Sequence, residues 1–169
     1  MASGRLVADP CADERHPPCR PVPADPDFAA RVRASFGRQG AMRTIGASIG
    51  ALEPGYCAIE LVPRADLSQQ HGYVHAGIVA AIVDTAGGYA GFTLFPADSS
   101  VLTVEFKLNL LAPAQGEQLV AEGFVVKSGR TLTITRGEVH AVDGGRRTLV
   151  ALMQQTLMTM HGRADTPGA

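Results

Sequence analysis

The sequence predicts an α+β fold in which a six-stranded antiparallel sheet curls around one long helix. The first observation is the segment 74–90, which is apolar on nearly all sides and contains a single acid, Asp84. A helix that is hydrophobic all round belongs in the interior of a protein. The second observation is that six other segments alternate between the two faces as strands do. Wrapping the sheet around the helix is the most economical way to bury these apolar faces.

One short helix and one hairpin are predicted before the long helix. Apolar residues recur at helical spacing between 28 and 37, and Asp25 or Asp27 precedes them as a candidate N-cap. Alternating residues over 43–51 and 56–62 predict two strands. A Glu-Pro-Gly sequence between these strands is typical of a turn, so they are expected to pair as a hairpin.

Four strands are predicted after the long helix, in meander-like succession. In the first of them, 101–110, every second residue from Leu102 is apolar, and Thr103 falls on the opposite, polar face with Glu105 and Lys107. The last strand is apolar on both faces in its first half, which is typical of a central strand. The other three predicted strands cover residues 118–127, 132–142 and 148–160.

The composition is that of one domain with a substantial core. The chain has 169 residues, of which 46% are hydrophobic. Residues 1–26 contain six of the eleven prolines, and this Pro-rich N-terminal arm is not expected to form continuous helix. The predicted organisation is therefore the arm, a single domain over 27–160 and a short C-terminal tail over 161–169.

Charge and cysteine content exclude several classes of partner. The formal charge of −1 leaves no basic surplus for nucleic acid or for an anionic membrane. Three cysteines cannot all pair within one chain, which favours a reducing compartment and no disulfide framework. The spacing of Cys11, His16 and Cys19 fits no usual zinc pattern, so no metal is predicted. No apolar stretch follows Met1, and a cytoplasmic location is expected.

A combination of motifs then points to a family. Gln69 stands six positions before His75, and Asp84 stands nine positions after it. Together with several other short matches, this stretch resembles the hotdog-fold acyl-CoA thioesterases of the phenylacetate-pathway (PaaI-like) type. The chain departs from that pattern with Ala76 at the first glycine of a His-Gly-Gly and with Gln69 where asparagine is common. The other matching residues are Gly72, Gly77, Thr103-Val104-Glu105-Phe106 and Ala112-Pro113.

The resemblance implies a hotdog fold, an acyl-CoA substrate, no cofactor, and active sites at the interface of a homodimer, with dimers pairing into a homotetramer. It assigns Asp84 as the group that attacks the thioester or activates a water, and Thr103 as a hydroxyl that holds the water or the acid. Gln69 would position the substrate. The backbone N–H of Ala76, at a helix N-terminus, is the candidate donor to the oxyanion. His75 is interpreted as shaping that turn and not as the base.

Helix geometry independently demands a second subunit if both ends of this motif act on one substrate. Nine residues at 1.5 Å per residue separate His75 and Asp84 by roughly 13 Å along the helix. The two groups cannot meet within one chain. A two-fold copy with its helix antiparallel would place the start of one helix near the middle of the other.

The turn Lys127-Ser128-Gly129-Arg130 joins two predicted strands and combines two cations with a backbone able to approach a ligand closely. It is the candidate seat for the phosphates of coenzyme A, with a solvated β-turn as the alternative.

Three functions remain open on the sequence. The first is an acyl-CoA thioesterase that hydrolyses a small, aromatic or medium-chain acyl-CoA to free acid and CoA. The second is a hydratase or dehydratase on the same fold, and the third is a non-catalytic acyl-CoA-binding protein. Within the first, the choices between a covalent and a general-base route, and between a CoA and a carrier-protein thioester, also remain open. No nucleotide, dinucleotide, zinc-protease or serine-hydrolase motif is present.

Overall fold

The chain forms two short helices, a hairpin, one long helix and four further strands over residues 21–165, which are the residues described by this computed structural model. Most of the predicted N-terminal arm and the last four residues of the tail lie outside this range. The elements are α1 (Phe28–Arg38), α2 (Gly40–Ile45), β1 (Ser48–Glu53), β2 (Tyr56–Leu61), a 3₁₀ turn (Ala65–Leu67), α3 (Ala76–Phe92), β3 (Ser100–Leu110), β4 (Gln118–Ser128), β5 (Leu132–Asp143) and β6 (Arg146–Met160).

The six strands form one antiparallel sheet in the order β1-β2-β4-β5-β6-β3, and α3 packs against its inner face. The predicted architecture is therefore confirmed. The predicted meander is wrong for its first strand, because β3 pairs with β6 at the far edge of the sheet. Of the four strands after the helix, only β4, β5 and β6 are sequential neighbours. The chain crosses from β2 to β3 through α3, so that the helix lies across the sheet.

Helix α3 is the centre of the core, as its apolar pattern predicted. Ile82, Val83, Ala86 and Phe92 are fully buried. The helix approaches the sheet so closely that β4 carries Gly123 at the contact, where an added Cβ would collide with the backbone of Ala86. This close approach fixes the depth of the helix in the sheet.

The strand predicted over 43–51 is wrong in its first part. Residues up to Ile45 form α2, which ends at Gly46 in the left-handed conformation, with φ of 76°. The guanidinium of Arg64 donates to the carbonyls of Thr44 and Ile45 at 2.8 and 2.6 Å. A distant arginine thus caps the helix end, and β1 begins only at Ser48.

A β-bulge corrects the predicted faces of β3. Thr103 pairs with Leu157, and Glu105 pairs with the next residue back, Thr156, so that Val104 has no partner across the ladder. Residues opposite each other share a face, and consecutive residues of β6 face opposite sides. Thr103 therefore faces α3 while Glu105 faces outward, although strict alternation placed them together.

Most other elements match their predicted positions to within a few residues. Helix α1 begins at Phe28 with Asp27 at the N-cap position, and the Asp27 side chain makes no capping hydrogen bond. The carboxylate of Asp25 instead accepts from the backbone N–H of Asp27 and from Arg31. No helix within residues 21–165 is long and apolar enough to cross a bilayer.

Replacing Gly123 by alanine should destabilise the protein, because its Cβ would meet helix backbone that cannot rotate away. Overpacking of this kind costs about 1–3 kcal/mol. The matched control is Gly88→Ala, a buried glycine of α3 whose added Cβ would meet no atom within 4 Å. Helix propensity alone should make that variant about 1 kcal/mol more stable. Melting temperatures of both variants check the assignment, and equal effects would contradict the described depth of the helix.

Candidate active site

The N-terminus of α3 is built by a tight turn and a histidine cap. His75 is the N-cap residue, and its Nδ1 accepts a hydrogen bond from the backbone N–H of Gly77 at 2.9 Å. Its own backbone N–H donates to the carbonyl of Leu67 at 2.9 Å. An imidazole that accepts at Nδ1 helps to satisfy the unpaired N–H groups of a helix start. This placement is that of a residue that shapes the turn.

Ala76 and Gln69 lie together at this end of the helix. Both line a cavity of ≈ 180 Å³ whose other walls include Leu110 and Pro113. Ala76 is the first residue of α3, and among the described residues its backbone N–H has no hydrogen-bond partner. The side-chain carbonyl of Gln69 accepts from the backbone N–H of His71, so this side chain folds back onto its own turn. The free N–H at a positive helix end is suited to an oxyanion.

Asp84 lies eight residues further along α3 and is anchored through one of its two oxygens. Oδ1 accepts from the Thr103 hydroxyl at 2.8 Å and from the Gln155 side-chain amide at 2.5 Å. Within residues 21–165, Oδ2 accepts no hydrogen bond. Asp84 lines a cavity of ≈ 290 Å³ that also includes Gln39, Tyr89 and Thr103. The carboxylate is therefore held in one orientation beside open space.

The pKa of Asp84 is raised above its ordinary value of 3.8. Burial, which disfavours the charged form, is the largest cause. The hydrogen bonds from Thr103 and Gln155 act in the opposite direction and lower the pKa. The carboxylate is thus a stronger base than that of an exposed aspartate, and carboxyls with a perturbed pKa are common at functional sites.

The bulge in β3 is what brings Thr103 to Asp84. A regular strand would place Thr103 and Glu105 on one face, and the extra residue separates them. Bulges that redirect a side chain are common beside active sites. Thr103 stays exposed to solvent because β3 is the edge strand.

The chain therefore brings the predicted site residues into two groups and does not join them. One group is Gln69, His75 and Ala76 at the helix start. The other is Asp84 with Thr103. The first residue of α3 and Asp84 are separated by eight residues, or roughly 12 Å of helix, and they line different cavities.

The four candidate CoA-binding residues lie at the β4–β5 connection and are exposed. Lys127 and Ser128 end β4, and Gly129 and Arg130 form the turn. Ser128 and Thr103 lie in one row of the sheet, three strands apart, through the pairs Ser128–Thr133, Thr133–Leu157 and Leu157–Thr103. Three inter-strand steps amount to about 14 Å. The candidate phosphate site and the acid therefore lie at the same end of the sheet.

Sequence reasoning missed Gln155, which is 2% exposed and contacts both Asp84 and Thr103. The sequence signal that could have revealed Gln155 is its position in β6, where it lies between Met153 and Leu157 on the buried face. A glutamine at an inward position of a strand needs a polar partner. No group of three His, Cys, Asp or Glu side chains in the described part of the chain is arranged to hold a metal ion.

Comparisons with known proteins agree with this fold. A model of the thioesterase superfamily matches residues 71–148. The solved structure of a thioesterase family protein from Silicibacter pomeroyi is 45% identical, with a TM-score of 0.79, and the match covers 80% of this chain and 99% of that one. The chain belongs to the thioesterase superfamily, which is a family of hydrolases with the hotdog fold. The predictions of that fold and of a hydrolase are thereby confirmed at family level.

More distant relatives share less sequence identity with this chain. Two proteins from Saccharolobus solfataricus, both described as esterases, are 31% and 33% identical, and the chain spans only 66% and 65% of their lengths. The E. coli PaaI protein from the phenylacetic acid degradation operon is 18% identical, and the match covers 82% of this chain and 96% of that one, with a TM-score of 0.72. That likeness shows the fold alone, so the PaaI-like type stays a prediction.

The raised pKa of Asp84 predicts a pH-dependent cost in stability. Below the unfolded-state pKa both states are protonated and the cost is absent. As pH rises through the folded-state pKa, the folded protein must ionise a half-buried acid, and stability is lost. Asp84→Asn keeps an oxygen that accepts from Thr103 and Gln155 but carries no charge. Its melting temperature should equal that of the parent at low pH and exceed it at neutral pH. A constant difference across the pH range would contradict the described burial.

Proposed function

We propose that the protein is an acyl-CoA thioesterase that hydrolyses a small, aromatic or medium-chain acyl-CoA to the free acid and CoA. The observation that supports this best is the Asp84 carboxylate, whose Oδ1 is anchored and whose Oδ2 is free beside a cavity. A buried carboxylate is costly unless it is fully hydrogen-bonded or used. Asp84 has one oxygen hydrogen-bonded and the other free at a cavity, so it fits the case of a carboxylate that is used.

Two routes satisfy this geometry. In the first, Oδ2 attacks the thioester carbonyl carbon, the C–S bond breaks, and water then hydrolyses the mixed anhydride. In the second, Oδ2 takes a proton from a water whose oxygen attacks the same carbon, and the CoA thiolate leaves and is protonated. The raised pKa of Asp84 makes it a better base for the second route and a better nucleophile for the first.

A second copy of the chain completes the proposed site. The carbonyl oxygen of a thioester held at Asp84 needs a donor, and Ala76 of the same chain lies roughly 12 Å away along the helix. The Ala76 N–H of an antiparallel partner helix would supply it. We therefore propose a homodimer as the active unit, with a homotetramer formed from two dimers.

The free edge of the sheet supports this pairing. Among the described residues, β3 is an edge strand of eleven residues with no strand beyond it. Phe106 and Leu110 share the helix-facing side with Gln155 and Ala151, yet they are 48% and 55% exposed. A long edge that leaves apolar side chains uncovered is a surface for pairing with another chain.

The cavity limits the acyl group. At ≈ 290 Å³ it lies at the lower end of the range for small-molecule sites. Its walls combine apolar Met42, Ala81 and Val101 with the Tyr89 ring. A short or aromatic acyl group fits this space, and a CoA arm would extend toward Lys127 and Arg130. The imidazole of His75 serves as a helix cap, and no histidine of residues 21–165 lines the Asp84 cavity, so the described site lacks the paired His and acid that the hydratase alternative needs.

Release of CoA from a panel of acyl-CoAs, followed with a thiol reagent, tests the proposal. Asp84→Asn should lower kcat by at least about 10²-fold and up to about 10⁴-fold. Ala76→Pro removes the candidate N–H, and proline is well tolerated at a first helical position after an extended residue such as His75. This variant should lose about 10²–10³ in kcat. Turnover of Asp84→Asn within tenfold of the parent would reject Asp84 as the catalytic group.

Mixing the two inactive variants tests the shared site. After subunit exchange, half of the dimers combine one Asp84→Asn chain with one Ala76→Pro chain, and one of their two sites is intact. Activity should then return to about a quarter of the parent value, because each site draws on both subunits. The control is each variant mixed with itself. No recovery, despite exchange observed by mass spectrometry, would place the site within one chain.

Arg130→Ala tests the CoA contact. Losing a cation that binds a remote phosphate should raise KM for acyl-CoA far more than it lowers kcat. Arg146→Ala is the matched control, since Arg146 is also exposed but lies at the β5–β6 turn, at the other end of the sheet. If Arg130→Ala and Arg146→Ala had the same KM, the nucleotide of CoA would have to bind at another part of the surface.

A further inference from the structure

Gln155 is a buried polar side chain that links two strands to the proposed catalytic carboxylate, Asp84. It lies on β6 and is 2% exposed. Its Nε2 contacts Asp84 Oδ1 at 2.5 Å, the backbone carbonyl of Asp84 at 3.1 Å and Thr103 Oγ1 at 3.1 Å. Its Oε1 accepts from the hydroxyl of Thr135 on β5 at 2.9 Å. Every polar atom of the amide is therefore used.

The two ends of this amide are distinguishable by chemistry. An ionised carboxylate only accepts hydrogen bonds, so the NH₂ group of Gln155 must face Asp84. The amide oxygen then faces Thr135, whose hydroxyl donates to it. Thr103 donates its one proton to Asp84 and can accept from Gln155. Both donors converge on Oδ1, which leaves Oδ2 for the reaction.

The helix backbone is shaped to receive this amide. At Gly87 an added Cβ would collide with Oε1 of Gln155 and would lie 3.0 Å from the Thr135 hydroxyl. A glycine in the middle of a helix is less favourable than an alanine. The absence of a side chain at Gly87 therefore allows Gln155 and Thr135 to reach the helix beside Asp84.

We propose that Gln155, oriented by Thr135, is a positioning residue that holds the Asp84 carboxylate with Oδ2 free to meet the thioester. The inference rests on the thioesterase function proposed above. Gln155 does not touch the reacting atoms and acts through Asp84. Loss of either the donor or its orienting hydroxyl should then change both the orientation and the ionisation of the acid.

No charged side chain among residues 21–165 contributes to the shift in the pKa of Asp84, whose causes are burial and the hydrogen bonds from Thr103 and Gln155. Tyr89 is the other titratable group that lines the Asp84 cavity. Toward Asp84, β3, β5 and β6 present Thr103, Thr135 and Gln155, none of which titrates. Three charged residues of β3 and β5 pair with outward residues of β6 and so face away from the helix: Glu105, Lys107 and Arg136.

Two threonines of β5 provide a matched pair of variants. Thr133 and Thr135 are both fully buried and lie two residues apart on the inner face. The Thr133 hydroxyl has no hydrogen-bond partner within the described residues, whereas that of Thr135 binds Gln155. Thr133→Val and Thr135→Val therefore make the same chemical change at sites with the same burial, and only Thr135→Val releases the amide.

The test is the titration of the Asp84 carboxyl by carbon NMR, together with pH profiles of kcat/KM, for the parent and three variants. Gln155→Met removes a donor that lowers the pKa of Asp84, so both the NMR titration and the acidic limb of kcat/KM should move to higher pH. Its kcat should fall by about tenfold or more through misplacement of the acid, with KM little changed. Thr135→Val should shift both curves in the same direction by less, and Thr133→Val should shift neither.

Superimposable titrations of Asp84 in the parent, Gln155→Met and Thr135→Val would overturn the inference, even if activity were lost. Equal shifts in Thr133→Val and Thr135→Val would also overturn it, since the effect would then result from core packing. The NMR titration does not depend on turnover. A parent that hydrolyses no acyl-CoA but shows the predicted shifts would reject the proposed function and leave the role of Gln155 in orienting Asp84 intact.

Discussion

The burial of one carboxylate is the constraint on which the rest of the structure depends. Asp84 lies in a helix that is otherwise apolar, and a buried ion there needs donors from outside the helix. Thr103 and Gln155 supply them from two adjacent strands, β3 and β6. These strands reach the helix only because the sheet curls around it and because glycines stand at the closest approaches. The close packing of α3 against the sheet is therefore also what brings the hydrogen-bond donors to Asp84.

The free edge of the sheet, strand β3, carries part of the proposed site. Strand β3 carries Thr103 and is the edge strand beyond β6, so the site lies at the margin of the subunit and not in its centre. The proposed reaction also needs a donor for the thioester oxygen, and the Ala76 N–H at the helix N-terminus, which is free in the described chain, would supply it. A site split between the middle and the start of one helix is naturally completed by an antiparallel copy. Dimerisation and catalysis would then depend on one surface.

Local patterns in the sequence predicted the long helix, the strand segments and the single acid, because the periods 3.6 and 2 are local properties of the backbone. Two local predictions failed where a distant residue intervened. Residues 43–45 alternate like a strand but are helical, with Arg64 binding the carbonyls at the helix end. Alternation in β3 placed Thr103 with Glu105, and the bulge opposite Leu157 and Thr156 separated them.

The sequence by itself determined the α+β class, the buried helix and the spacing of Gln69, His75 and Asp84, since each is written in consecutive residues. Only the tertiary structure revealed Gln155 as a second group that holds the acid. Gln155 lies 71 residues from Asp84 in the chain, and its orientation depends on Thr135 of another strand. The strand order, the bulge and the exposed edge likewise arise from pairings between distant segments. Hydrogen bonds between such segments depend on how the chain is brought together, and local periodicity contains no information about them.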